Sequence, residues 1–592
     1  MKKLLIFLIL IFFGTGVFCQ GVEIKSSAYV KSSGAAIILI KDGGLINNGS
    51  YTKGTEDVIF SGTVAKTISG SSNTTLNNLS ITNTGGITTQ LGLLTTNQII
   101  IASGSKLTIA AAKAVTATGN TSLGSAQCLV LKSDATGTAS FIDNGTIGGS
   151  GTALAERYLT KYDEVPDFKF HFISSPVGNA QSIATEFIDL SSELITDFYK
   201  WDEPANNWIS YRKGDYTTED YHVLNPDFGD DGKFVSGKGY MVAYPADVTK
   251  NFVGVPVTGT VNVNCTNTSN GGWNLIGNPY ASSVDWDYLK NNGLLGDGMD
   301  NALYYYDNAA QGYKYYIPLT GGLSGGTKDI PPMQGIMVHA KTSGTKTVSF
   351  TQNTRSHSGL GTFWKDAPLT TNILDLKVEG NNMKDYARVC FYEEATEEFD
   401  GDFDAFKLFS YTETIPEIYA VSSDLKSLAI NTLPMEMLDG GLVPVGFSIG
   451  TPGNYTLAAE GINTFAANTY IILEDKVTGA FQTLNDNPVY AFSASLQDIT
   501  DRFVLHFKDA TSVSEPGKPA KINAWYQAGS LAVRTSEGIT NVGIFNIQGQ
   551  NLQSYQLHGI GLQNIPINLP TGVYFARFIN EGRIQTVKIM IQ

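Results

Sequence analysis

Between residues 20 and 155 the chain places apolar residues at alternate positions in very short runs and breaks each run with Gly, Ser, Thr or Asn, as in "LNNLSITNTGG" and "NQIIIASGSKLTIA". At 79–81, 99–101 and 107–109 the apolar period is two, the period of a strand, and the Asn-Gly and Gly-Gly pairs nearby are turn signals. Strands this short bury their apolar face only against a neighbour of the same kind. The pattern therefore predicts a parallel β-helix or related solenoid, in which each rung covers the next. The alternative is a disordered low-complexity linker, and the recurring Ile and Leu count against it.

The remainder of the chain reads as strand as well. It carries 62 Gly, 28 Tyr and 30 Phe with only 16% charged residues, the composition of turns between aromatic and β-branched runs. We expect an all-β protein. A length of 592 residues accommodates roughly three to five domains, each able to bury its own core. The formal charge of −15 is spread along the chain without a basic cluster, which argues against a nucleic-acid partner.

The first 19 residues, "MKKLLIFLILIFFGTGVFC", run from two Lys into a short apolar stretch and then smaller residues. That is the form of an export signal, with cleavage expected near Cys19–Gln20. Lipidation of Cys19 is the alternative, disfavoured by the bulk of Phe18 before it. Cys128, Cys265 and Cys390 remain, widely spaced and without CxxC or Cys/His spacing, so buried free thiols are expected in place of a zinc site.

Residues 156–365 contain three ordered matches about 100 residues apart. "FHFISSPV" (170–177) aligns with "WNLIGNPY" (273–280), "YKWDEPANNWISY" with "YYYDNAAQGYKYY", and "GKGYMVAYPADVTK" with "PMQGIMVHAKTSGTK". This predicts two copies of one β-unit. From 366 to 510, runs such as "NILDLKVEG", "DYARVCFYEE" and "DRFVLHFKD" with turn residues between them predict a β-sandwich. "TSVSEPGKPAK" places a linker at 511–520. Residues 521–592 then form a small Ig-like sandwich whose last strand ends flush with the chain.

That final segment, "VGIFNIQGQNLQSYQL…INLPTGVYFARFINEGRIQTVKIMIQ", resembles the type A C-terminal sorting domain of the type IX secretion system of Bacteroidota. The matching positions include Gly549, Leu569, Pro570, Gly572, Val573, Tyr574 and Lys588. The resemblance implies Sec export into the periplasm and passage through the type IX translocon. It also implies removal of the C-terminal domain by a sortase-like peptidase, and a destination in the medium or on the outer surface through lipopolysaccharide. It implies no reaction, because the cargo of such domains varies widely. "FDGDFDAFKL" and the runs after it resemble the sandwich that precedes the sorting domain in other secreted proteins.

Catalytic signals are weak. "GLSGG" at 322–326 has the spacing of a nucleophile elbow, but the loop around it ends in Pro where the elbow needs a helix. The six His form no metal-binding pair, and no carboxylate pair has recognisable spacing. We expect no catalytic residues, with a motif-less extracellular hydrolase as the alternative. Asp400, Asp402 and Asp404 fall at alternate positions and are calcium candidates, as are Asp297 and Asp300; otherwise no cofactor is expected. The aromatic runs give the stronger lead. Trp201, Trp208, Tyr306 and Tyr313, beside Asp202 and Asp307, occupy matching places in the two copies and are candidates for stacking on glycan, with core packing the alternative. The expected function is a non-enzymatic adhesion, glycan-contacting or matrix protein that binds an extracellular polysaccharide or a surface protein.

Overall fold

The computed structural model describes residues 19–162, 169–178, 181–184, 186–192, 196–215, 217–268, 271–358, 371–509, 523–527, 529–535, 539–546, 550–558, 561–580 and 583–591. The expected export signal, apart from Cys19, and the whole expected linker lie outside them. Two compact units result, one to Ala510 and one from Thr511. Both are built from strands, with a single short α-helix, Trp286–Asn291, among the described residues.

Residues 19–159 form the solenoid, whose first strand, Cys19–Ile24, pairs parallel with Ile37–Asn47 and which carries three stacks of parallel strands. Asp57–Ser61, Asn78–Ile81, Gln98–Ile101, Thr121–Leu123 and Ile147–Gly149 make the first stack. Lys66–Ser69, Ile87–Thr89, Leu107–Ile109, Leu129–Leu131 and Ala153–Leu159 make the second. Thr74–Thr75, Leu93–Thr96, Ala114–Ala117 and Ser140–Asp143 make the third. Leu79, Ile99 and Thr121 lie in register, so a turn takes 20 to 22 residues at this point. Val58, Leu79 and Ile99 stack inside, as do Leu94, Val115 and Phe141. Polar corners hold the rungs together: buried Asn83 donates to the carbonyls of Ser61 and Val64 and accepts from Gly85 N. A Cβ on Gly85 would stand 2.4 Å from the Thr63 carbonyl oxygen, so the close approach of successive corners requires glycine.

The solenoid does not end at residue 155. Its last strand, Ala153–Leu159, continues into the next region and pairs antiparallel with Val248–Gly254. The buried apolar residues accordingly run unbroken from the solenoid interior to Phe187, Phe198, Phe234 and Phe252. An antiparallel strand closes this edge of the solenoid and satisfies its main-chain groups.

Two further sheets follow with the same strand order. The first is His171–Ser174, Gly239–Ala243, Asp197–Asp202, Asn207–Ser210; the second is Trp273–Gly277, Gly335–His339, Leu303–Asp307, Gly312–Ile317, extended by Gly321–Leu323. They meet reciprocally: Ile173 bridges Gln334, and Lys238 bridges Ile276. Gly239 lies against Leu275, and Gly335 against Phe172 and Ile173.

A strap from the second sheet braces the solenoid. Its strand Arg355–Ser356 pairs with Ser283–Asp285, while Arg355 donates to Asp143 O at 2.9 Å and Asn144 Oδ1 at 3.1 Å. The His357 ring nitrogens sit 2.7 Å from the hydroxyls of Thr116 and of Ser140. Burial, with repulsion from Arg355, lowers the His357 pKa to about 4, against about 6.5 for an unfolded His. Between those values the unfolded chain binds a proton that the folded state refuses. This contribution to stability is therefore whole above pH ~6.5 and lost as the pH falls toward ~4. Relative to the wild type, His357→Gln should flatten the stability profile in that window. Urea midpoints at pH 7 and pH 5 measure it, and an unchanged difference between the two pH values would rule His357 out as the titrating group.

Residues 371–509 form one eleven-stranded sheet that folds over a core of its own, while Cys390, Ala405, Ala429 and Ile430 join Phe172 and Tyr304 in another. Phe447 and Phe503, on one side, contact Phe492 at ring distances of 5.2 and 5.1 Å. In the C-terminal unit a three-stranded and a four-stranded sheet share a core of Leu531, Val533, Val542, Ile544, Ala576, Phe578 and Ile589. Its last strand, Arg583–Ile591, pairs along its whole length with Gly572–Asn580.

Candidate functional site

The aromatic residues singled out in the sequence converge, but inward. The strand Leu303–Asp307 is apolar on both faces because each face has its own core. Tyr304 and Tyr306 join one core, and Leu303 and Tyr305 the other. Tyr313 and Tyr315 alternate with Tyr316 in the same way.

Phe172 is the hub of the first core, with ring distances of 6.0 Å to Trp208, 5.9 Å to Tyr306 and 6.3 Å to Tyr313. Tyr306 and Tyr313 stand 5.2 Å apart, and Tyr411, from the segment beside the sandwich, closes over Tyr306 at 5.5 Å. Tyr313 donates its hydroxyl to Tyr411 at 3.0 Å. Trp201 packs edge-on to Trp208 at 5.1 Å and donates Nε1–H to the Trp273 carbonyl at 2.7 Å.

Tyr306 and Tyr313 are only 6% and 8% exposed, so their faces are taken by protein and are not available to a sugar. Glycan stacking by these two is corrected to core packing. Trp201 and Trp208 are half-buried against the same core. Asp307 pairs with Lys314 at 2.8 Å and accepts from Ala309 N, a turn-forming role.

The two acidic segments also meet. Asn301 N donates to the Gly401 carbonyl, and Asn301 Nδ2 reaches Asp402 Oδ1 at 3.1 Å. Several of the carboxylates are turned to the protein's own groups, while Asp300 Oδ1 is buried against Gly401 without a hydrogen-bond partner among the described residues. Asp404 is fully buried and accepts from the main-chain N–H of Asp400 and of Thr432, both at 2.7 Å, and burial raises its pKa well above the carboxylate range. Asp400 accepts from Asp402 N, and Asp402 faces Lys341 at 3.6 Å. Asp300 is buried and pairs with His339, while Asp297 is exposed. Among the described residues, no group of three or more His, Cys, Asp or Glu is placed to hold a metal ion. The "GLSGG" segment is a strand, Gly321–Leu323, followed by a turn and not by a helix. The three cysteines are free and buried, and burial pushes the thiols of Cys265 and Cys390 up to about 12.

Sequence reasoning passed over two buried charge clusters. Arg502 is held bidentately by Asp475 at 3.0 and 2.8 Å, both wholly inside the sandwich. Lys407, 1% exposed at its side chain, lies between Asp385 and Glu417 where the second sheet meets the sandwich. The available signal was a lone cation inside an apolar run, "AFKLF" and "DRFVLHF".

In the C-terminal unit, Tyr574 is buried and donates its hydroxyl to the Pro570 carbonyl at 2.9 Å, a closure like the tyrosine corner of β-sandwiches. Leu569 packs against the core, Gly572 and Val573 are half-buried, and Lys588 is exposed opposite Phe575. Gly549 lies outside the described residues.

Residues 527–592 match the family described as secretion system C-terminal sorting domain. The protein is therefore a Bacteroidota export, handled by the type IX machinery and ending at the outer surface or in the extracellular space. No curated protein matches the chain. Among solved structures, a "Biofilm associated protein - BSP domain" is similar over 74% of this chain and 95% of its own, at 10% identity and a TM-score of 0.13. Residues 53–507, from the solenoid through the sandwich, match a single family, and the chain belongs to it: domain of unknown function (DUF8693).

Proposed function

We propose that the exported chain is a non-enzymatic structural or adhesive protein that contacts extracellular polymer through the outer face of its sandwich. The observation carrying this is a row of exposed apolar side chains on one face. Phe481, Tyr470 and Leu442 are 62%, 45% and 51% exposed. The register puts Phe481 beside Glu474, Tyr470 beside Lys508, and Leu442 beside His506, all opposite the buried face of Ile471, Leu473 and Leu505. His506 pairs with Glu474 at 2.8 Å and stands 5.7 Å from the Phe481 ring. Exposed aromatic faces beside polar groups stack on sugar rings and fix their orientation. The two equal-ordered sheets are read as copies of one unit that carry the sandwich on the solenoid. Removal of the C-terminal unit by the sortase-like peptidase and attachment to lipopolysaccharide belong to the same reading.

The test is retention of the chain lacking its first 19 residues on a panel of soluble and insoluble polysaccharides, with and without calcium. Replacing Tyr470 and Phe481 together by Ala should weaken retention about tenfold or more, a loss of ~1.4 kcal/mol, at an unchanged melting temperature. Absence of retention on every polymer would overturn the polymer reading. Release of soluble oligosaccharides would favour the hydrolase.

A further inference from the structure

The geometry points to Lys407 and Asp385 as the two ends of an intramolecular amide cross-link, with Glu417 as the proton carrier that makes it. Asp385 lies on the strand Met383–Phe391, Lys407 directly after Ala405–Phe406, and Glu417 at the start of Glu417–Val421. The Lys407 Nζ is in direct contact with Asp385 Oδ2 and stands 2.8 Å from Glu417 Oε2. Asp385 Oδ2 also accepts from Ile418 N at 2.7 Å, and Glu417 Oε1 from Ser410 N at 2.6 Å. Both carboxylates are thus fixed by main-chain donors. Tyr313, Leu408 and Ile415 line the surroundings, which include a cavity of about 10 Å³ touching all three charged residues, room for roughly one water.

A buried amine held against a carboxyl carbon is a reactant pair whose encounter entropy has been spent in folding. Glu417 takes a proton from the Lys407 ammonium as the freed lone pair attacks Asp385 Cγ, forming the C–N bond. The Ile418 N–H, already on Asp385 Oδ2, steadies the charge that develops on that oxygen. Two of the three ammonium protons reach the other oxygen through Glu417, the C–O bond breaks, and one water leaves into the cavity. Ammonium plus carboxylate becomes amide plus water; Glu417 ends as it began, and nothing is oxidised or reduced. Burial, opposed by Lys407 and reinforced by Asp385, raises the Glu417 pKa; burial works against the Lys407 ammonium, but Asp385 and Glu417 hold its pKa above the ordinary value, so Glu417 draws the proton off as the C–N bond forms and not before. The product replaces the buried Lys407 and Asp385 charges by a neutral amide and leaves the Glu417 carboxylate on the Ser410 N–H at 2.6 Å.

The test uses the purified chain, denatured and digested with trypsin. Cleavage after Lys384 and Arg388 should yield peptide 385–388 joined to peptide 389–426, uncut at Lys407 and lighter by one water than the two together. Recovery of free 385–388, with cleavage at Lys407, would overturn the proposal and leave a plain buried ion cluster. Glu417→Gln should restore the full mass and the cut at Lys407; if the joined peptides persist in that variant, Glu417 is not the proton carrier. Because the wild-type digest decides the cross-link itself, a poorly folding variant would not leave it open.

Discussion

Phe172→Ala is expected to destabilise the N-terminal unit by about 3–5 kcal/mol, the range for deleting a buried aromatic ring. Phe172 is 1% exposed and touches Trp208, Tyr306 and Tyr313, so truncation opens a void shared by both sheets and the sandwich side. These neighbours sit on paired strands and cannot collapse into it without breaking register. Trp208→Ala, at a half-buried position, should cost less by the same measure. Calorimetry of the full chain and hydrogen exchange in the strands 171–174, 239–243 and 303–307 give the readout. A stable Phe172→Ala chain that had lost polysaccharide retention would reverse the assignment of these aromatics to the core.

Asp475→Ala should cost a comparable 3–5 kcal/mol, because it leaves the Arg502 guanidinium buried without its main counter-charge. Arg502 would keep Asp498 at 2.9 Å and the Ser493 carbonyl at 3.0 Å, and it stands 4.5 Å from the Phe492 ring centre. None of these contacts replaces the bidentate carboxylate. Burial works to raise the Asp475 pKa, but hydrogen bonds from Arg502 and Tyr490 outweigh it and hold the carboxyl below its ordinary value. The contribution is thus present at neutral pH and lost as the pH falls below the ordinary ~3.9 of Asp. The exposed pair Lys476–Asp501 at 2.7 Å is the internal control. Lys476→Ala should change stability by only about 0–1 kcal/mol. Urea denaturation followed by hydrogen exchange in 469–475 and 503–509 would reveal the difference, and equal effects of the two substitutions would show that Arg502 finds other compensation.

The solenoid was legible because its signals are local. A strand of three or four residues, a corner of Gly or Asn, and a repeat of the pattern after one turn all fall within a few tens of residues. The C-terminal unit was legible for a different reason: its motifs matched a known domain in order, with Leu569-Pro570 just before, and Gly572–Tyr574 at the start of, a strand whose Tyr574 closes back on Pro570. The matching motifs of residues 170–177 and 273–280 likewise fall on strands in equivalent places of two sheets.

The roles of the aromatics were not legible. "YYYD" and "YKYY" read equally well as a one-sided exposed face or as a strand buried twice, and only the arrival of Phe172, Trp273 and Tyr411 decides between them. The charged clusters were hidden for the same reason. Lys407 is 22 residues from Asp385 and 10 from Glu417, and Arg502 is 27 from Asp475; no spacing rule joins them.

By itself, then, the sequence determined which segments are strands, where the chain turns, and that the protein carries an export address, since periodicity, turn chemistry and motif order are properties of neighbouring residues. Only the tertiary structure decided which faces are covered, which charges are buried together, and which aromatics remain open to solvent. Burial depends on what packs against a strand from elsewhere in the chain, and that partner is absent from the strand's own pattern.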